Sequence, residues 1–181
     1  MPSGQIFAQI MHGGRVSHED ITGGHRIVAP SAFAMAGEAR TPEGKKPYPV
    51  PHALTIEELP VIIQETVTAS LNAIEAGFDG VELHAGNGFL LHEFLSPSTN
   101  VRTDSYGGTP ENYARFVIET VNAVTVAIGA QRVGIRISPE NEQHDTNEAN
   151  NATARHLPGA RGQHLSAQAR IPEHAPPRPV R

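Results

Sequence analysis

Cysteine is absent from all 181 residues, which excludes structural disulfides, thiolate metal sites and a cysteine nucleophile. Positive charge is scarce: 14 Lys and Arg stand against 19 Asp and Glu, for a net charge of -5 and a pI near 6.0. That balance carries no electrostatic footprint for nucleic acid or for an anionic membrane surface. No apolar run approaches membrane-spanning length. Met1-Pro2-Ser3 leads into a polar stretch that lacks the basic and apolar regions of a signal peptide. These absences lead to the expectation of a soluble, cytoplasmic chain whose partners are small molecules or other proteins.

What is present suffices for one domain and is too short for two. Hydrophobic residues make up 38% of the chain, and with 17 glycines this permits a sizeable core. Gln5 to Ile10 alternates, with Phe7 and Gln9 on one face and Ile6, Ala8 and Ile10 on the other, and reads as a strand. From Met11 to Ala53 the chain is rich in Gly, Pro and charge, a long excursion with few candidate core residues; loops of this size are usually functional or disordered.

Thr55 to Ala76 has apolar residues near a helical repeat, with Thr55 and Glu58 at capping-box spacing and Pro60 marking where the regular helix begins. Gly77 supplies the stop, and Phe78 to Leu83 reads as a second strand. Thr109-Pro110-Glu111 combines a hydroxyl cap, a first-turn proline and an early acid, and starts a helix whose buried stripe is Tyr113, Phe116, Val117, Thr120, Val121, Val124 and Ile128. Gly129 ends it, and Arg132 to Ser138 alternates as a third strand. Strand, helix, strand, helix, strand implies parallel pairing with crossovers, hence an α/β sheet or barrel.

Beyond Pro139 this pattern stops. Residues 141–181 contain no aromatic residue, five prolines and four histidines, too little apolar surface to offset the entropy of ordering the backbone. The division expected is therefore a barrel-like domain over 1–140 and a disordered or aberrant tail over 141–181, with a shifted reading frame as the leading account of the tail.

Parity along the strands separates two faces. Val81 and Leu83 oppose Glu82 and His84, and Val133, Ile135 and Ile137 oppose Gly134, Arg136 and Ser138. The branched aliphatics suit a covering helix, so Gln9, Glu82, His84 and Arg136 are expected to line one interior volume. Unpaired there, each would cost a few kcal/mol of desolvation, which a polar ligand would relieve.

VAPSAF, TPEGKKPYPVP, NAIEAGFDGVELHAGNGFLLHEFLSPSTNVRTDSYGGTPEN and RVGIRISPEN resemble, in order and spacing, the middle of the Old Yellow Enzyme family of FMN-dependent ene-reductases. The resemblance runs over roughly residues 4 to 140. It implies a partial (β/α)8 TIM barrel, about strands three to five only, with FMN at the C-terminal strand ends. The implied activity is an NAD(P)H oxidoreductase that reduces activated alkenes of enones and related electrophiles. Gln9 then matches the amide on the flavin pyrimidine ring and Arg136 the arginine near its electron-rich end. His84 and Asn87 match the catalytic donor pair for the substrate carbonyl oxygen, whose pull on electron density favours hydride attack at the β carbon. Phe89 stands where the family usually has a tyrosine that donates a proton to the alkene α carbon, and phenylalanine has none to give.

Plainer readings stay open. Asn87 could cap the following helix while His84 bonds backbone, Arg136 could pair with Glu82, and Gln9 could be a solvated edge residue. Arg102, Asp104 and Tyr106-Gly107-Gly108 read as an ion pair and a glycine turn that set the next helix. The ten histidines show no zinc-site spacing, so no metal is expected. Asn151-Ala152-Thr153 is a glycosylation sequon by letter only, and the Gly-Gly pairs lack dinucleotide-loop context. Two alternatives stand beside the ene-reductase: a truncated, non-catalytic remnant that does not bind flavin alone, associating with other chains to cover its strand edges, and a different barrel enzyme with a carbonyl-binding His and Asn.

Overall fold

The computed structural model of the chain describes residues 4–139 and 143–146. In order the elements are β1 (Phe7–Ile10), α1 (Glu19–Thr22), β2 (Val28–Ala29), β3 (Glu38–Thr41), β4 (Gly44–Pro47), β5 (His52–Ala53), α2 (Leu59–Glu75), β6 (Gly80–Ala85), α3 (Leu90–Leu95), α4 (Pro110–Ile128) and β7 (Val133–Ile137). Three of them form a parallel sheet in the order β1-β6-β7, with β6 central. A parallel pair needs a long crossover, and α2 and α4 supply the two here. Among the described residues no helix is long and apolar enough to cross a membrane.

The faces follow the parity of the sequence. Val81, Leu83 and Ala85 are fully buried in one cluster with Leu59, Val67, Phe116, Val117 and Val124 of the helices, and Val133, Ile135 and Ile137 pack against that cluster. Phe94 of α3 and Phe116 of α4 close it, ring centroids 4.2 Å apart. Burying such side chains contributes about 1.5–3 kcal/mol each.

Local signals set the helix ends. The Thr109 hydroxyl accepts from the Asn112 N–H (3.3 Å), Pro110 holds the first position of α4, and Gly129 at φ 90 stops it. The regular helix begins at Leu59, with Pro60 in its first turn as expected, and 55–58 form a turn in which the Glu58 carboxylate accepts from the Thr55 N–H (2.8 Å). The same carboxylate takes His52 Nε2 (2.8 Å) and the Arg26 guanidinium (2.6 Å). The Thr55 N–H first, then these two partners, draw its pKa down to about 2.

The excursion from Met11 to Ala53 is folded, with few core residues as its composition suggests. Ile27, Val28, Ala29 and Ala39 are buried, β2 pairs with β5 in parallel, and β3 with β4 form an antiparallel hairpin. Short buried pieces separated by glycines and prolines carry too few residues to show a period, which is why composition alone reads this stretch as open loop.

Arg102 ties that stretch to the loop before α4. Its side chain is 8% exposed, forms an ion pair with Asp104 (2.6 Å), and donates to the carbonyls of Pro30 (3.1 Å) and Leu54. Asn100, fully buried, is satisfied by Phe94 O (2.9 Å), Tyr106 O (2.8 Å) and the Arg102 N–H (3.1 Å). Removing the guanidinium would strand two carbonyls and a carboxylate, so Arg102→Ala is expected to lower stability by about 2–4 kcal/mol. A denaturant midpoint that moves by less than about 0.5 kcal/mol, the range of an ordinary surface change, would refute this role.

Candidate functional site

The C-terminal ends of β1, β6 and β7 lie side by side, and their loops are stitched together. The Leu90 N–H donates to His12 O (3.1 Å) and the Asn87 N–H to the Ser138 hydroxyl (2.7 Å). The carboxyl ends of parallel strands are where α/β folds bind ligands, because the loops there are free to carry chemistry on a rigid base.

Register places Gln9 beside Glu82 and His84 beside Arg136, all on the sheet face away from the helices. Gln9 Nε2 donates to Glu82 Oε1 at 2.6 Å. Glu82 therefore answers Gln9, and no ion pair joins Glu82 to Arg136 among the described residues. Arg136 is exposed and its charge acts on His84.

His84 is 5% exposed. Its Nδ1 accepts from the Gly86 N–H (3.2 Å), so the ring carries its hydrogen on Nε2. Burial, and next the Arg136 charge, lower its pKa, which keeps it neutral at neutral pH. The result is an uncharged N–H donor beside an exposed cation.

Asn87 does not cap α3, whose cap residue is Phe89 with no side-chain cap bond. It sits instead at φ 55, and its Nδ2 donates to Gln143 Oε1 at 2.8 Å. Its carbonyl accepts from His144 Nδ1 at 2.5 Å. The Phe89 ring lies between two imidazoles, 5.1 Å from His84 and 5.4 Å from His144. Gly88 permits this closeness, since a Cβ there would stand 2.7 Å from the Cβ of His144.

Gln143 to Thr146 thus belong to the site, although composition places them in the tail. The Arg15 guanidinium holds His144 O (2.7 Å) and Asp145 Oδ2 accepts from the Ala36 N–H (2.8 Å). Residues 141–142 and 147–181, the rest of the expected tail, lie outside the described residues. Four residues carry no period or compositional signal of their own, so nothing in the sequence marks them as ordered.

Glu93 is a second group that the sequence hides. It is completely buried, its Oε1 accepts from the Arg15 N–H (2.9 Å), and Oε2 has no hydrogen-bond partner. Gly14 lies over it: a Cβ there would fall 2.2 Å from Oε1. Burial outweighs both effects of Arg15 and pushes the carboxyl up to about 8. Among the described residues no group of three or more His, Cys, Asp and Glu could hold a metal ion.

Comparison with known proteins gives consistent relatives. The family model described as NADH:flavin oxidoreductase / NADH oxidase matches residues 2–174. A probable flavin mononucleotide-dependent alkene reductase of Leishmania infantum is 48% identical over 151 residues, which is 80% of this chain and 41% of the relative. A 12-oxophytodienoate reductase of rice (Oryza sativa subsp. japonica) is 46% identical over 74% of this chain and 34% of its own length. Among solved structures, the old yellow enzyme homologue of Zymomonas mobilis superposes with a TM-score of 0.77 at 42% identity, covering 80% of this chain and 40% of that one. Morphinone reductase, solved in one structure with tetrahydroNAD, gives 0.77 at 41% identity over 84% and 44%. The chain spans less than half the length of each of these relatives.

The Glu93 carboxyl makes a sign-definite prediction. Its native pKa near 8 lies above the ordinary value of 4.5, so the native state binds the extra proton between those limits. The contribution of Glu93 to stability is then greatest below pH about 4.5, falls by up to about 1.4 kcal/mol per unit as pH rises, and levels off above pH about 8. Glu93→Gln should remove that part of the slope in denaturant melts at several pH values. Identical slopes in the two proteins would rule the assignment out.

Proposed function

The chain belongs to the NADH:flavin oxidoreductase / NADH oxidase family, the Old Yellow Enzymes, and on that premise we propose that it is an FMN-dependent NAD(P)H oxidoreductase. Its substrates in this reading are enones and related electrophiles, its strands β1, β6 and β7 are the third to fifth of the family barrel, and its location is cytoplasmic. The observation that carries the reading is the pairing of His84, a neutral Nε2–H donor, with the exposed cation Arg136 on one inward sheet face.

The residues present fit FMN. Arg136 has no hydrogen-bond or ion-pair partner among the described residues, which leaves its charge available to the electron-rich end of a flavin ring in this reading. Gln9 engages Glu82 through one amide hydrogen and keeps its carbonyl and second N–H for the pyrimidine edge. When bound, FMN supplies hydride transfer from the nicotinamide to the alkene.

The protein's own part is to hold and polarise the substrate. His84 Nε2–H and the remaining Asn87 amide hydrogen both donate to the substrate carbonyl oxygen. Gln143 Oε1 holds the other Asn87 hydrogen and so orients the amide. Donors fixed in advance, one of them desolvated, stabilise the charge that grows on that oxygen more than mobile water does. A charged imidazole is not needed for this work, and a neutral one does not repel Arg136.

A second reading rests on the sheet edges. Each outer strand, β1 and β7, pairs on one side only among the described residues, and open edges invite pairing with another chain. In that reading the chain is non-catalytic, holds no flavin alone and is completed by association.

Titration of the purified chain with FMN separates the two. The ene-reductase reading expects a bound flavin absorbance band, binding weakened about tenfold or more by Arg136→Ala, and normal FMN binding with loss of carbonyl-ligand binding in His84→Ala. Absence of any bound flavin would leave the associating chain as the surviving account.

A further inference from the structure

Phe89 leaves the site without an acid at the position from which the alkene α carbon takes its proton. The structure sets an imidazole against that same ring. His144 lies 5.4 Å from Phe89, centroid to centroid, with Phe89 in turn 5.1 Å from His84. An imidazole can deliver a proton at moderate pH, and a phenyl ring cannot.

We propose that His144 is the proton donor to the alkene α carbon, in place of the acid that Phe89 lacks. This rests on the ene-reductase reading above and adds a residue to it. Its Nδ1 lies 2.5 Å from the Asn87 carbonyl, which only accepts, so Nδ1 carries a hydrogen in both charge states. The exchangeable proton is therefore the one on Nε2. The bond to Asn87 ties this imidazole to the backbone of the residue whose side chain meets the substrate carbonyl, one bond away from the α carbon.

The segment that carries His144 is fixed from three sides. Arg15 holds its carbonyl (2.7 Å), Gln143 is bonded to the Asn87 amide (2.8 Å), and Asp145 is bonded to the Ala36 N–H (2.8 Å). Among the described residues, the charged and titratable groups near the ring include Arg15 from the β1 loop, Asp145 beside it in the chain, and His84 across Phe89. Glu93 lies behind Arg15. In the step, the β carbon receives hydride from the reduced flavin. The α carbon forms its new C–H bond with the proton on His144 Nε2, the N–H electron pair stays on the imidazole, and solvent restores the proton afterwards.

His144→Asn is the test variant, because an asparagine amide can still donate to the Asn87 carbonyl and tolerates the left-handed backbone at φ 57. With cyclohexenone as oxidant and FMN bound, the expected result is a fall of about tenfold or more in flavin reoxidation. Flavin reduction by NADPH should stay within about twofold, and Phe89→Tyr added to His144→Asn should restore the alkene step. An unchanged alkene step in His144→Asn would overturn the proposal in favour of water. Imidazole NMR of the full wild-type chain gives a readout that needs no turnover. Cyclohexenone is expected to shift the Nε2 signals of both His84 and His144. A shift of His84 alone would overturn the role of His144 while sparing the carbonyl site, and a shift of neither would overturn both.

Discussion

The two-residue alternation of β6 is the constraint on which the candidate site depends. Val81, Leu83 and Ala85 meet the helices, which cover them among the described residues, and their burial is complete. Glu82 and His84 are then forced onto the opposite face, where they meet Gln9 and Arg136 through the registers with β1 and β7. A slip of one residue would turn Leu83 toward the polar side and put His84 under α2 and α4. The hydrophobic core thus selects the site by the same choice that stabilises the fold. Polar groups reach the inner face as a consequence of apolar groups claiming the outer one.

Position along the strands then does for the loops what parity does for the faces. His84 is the last residue but one of β6, so Gly86 to Phe89 leave the sheet at its C-terminal edge, where the β1 and β7 loops also emerge. Three close approaches hold this edge together, and each needs the absence of a Cβ. Gly14 admits the buried Glu93 carboxyl, Gly86 admits Ser138, and Gly88 admits the Gln143 carbonyl and the His144 side chain. Glycine at these places costs conformational entropy in the unfolded chain, and the return is a loop cluster dense enough to keep His84 out of water.

Much of this was legible in the sequence, and the parts that were not have a common cause. The strand parity, the Thr109 cap, the Gly77 and Gly129 stops and the Arg102–Asp104 pair are local, and local chemistry decides them. Gln9, His84 and Arg136 stand out by a period of two as well as by the long motif, and Asn87, which lies beyond the strand, by the motif alone. The small strands between Met11 and Ala53 could not be read, because pieces as short as Val28–Ala29 have no period and are ordered by tertiary burial alone. Gln143 and His144 were hidden for a related reason. Their order comes from Asn87 and Arg15, far away in sequence, and a compositional reading averages them with the residues that follow. The alternative of an Arg136–Glu82 pair failed for want of a distance: the side chain that reaches Glu82 comes from the other neighbouring strand.

Electrostatics binds these pieces into one site. Arg136 lowers the pKa of His84, and burial lowers it further, so the ring next to the cation stays neutral. A second cation at that position would repel the first and would compete with a carbonyl oxygen for its own counter-charge. A neutral N–H donor instead gives direction without adding charge, which leaves Arg136 as the one fixed positive charge on that stretch of β7. Glu93 shows the same economy from below: kept protonated by burial, it supports the Arg15 backbone without placing a fixed anion beneath the residue that grips His144. Near neutral pH the cations at the strand ends are therefore the exposed Arg136 and the buried Arg15, whose guanidinium is spent on the His144 carbonyl.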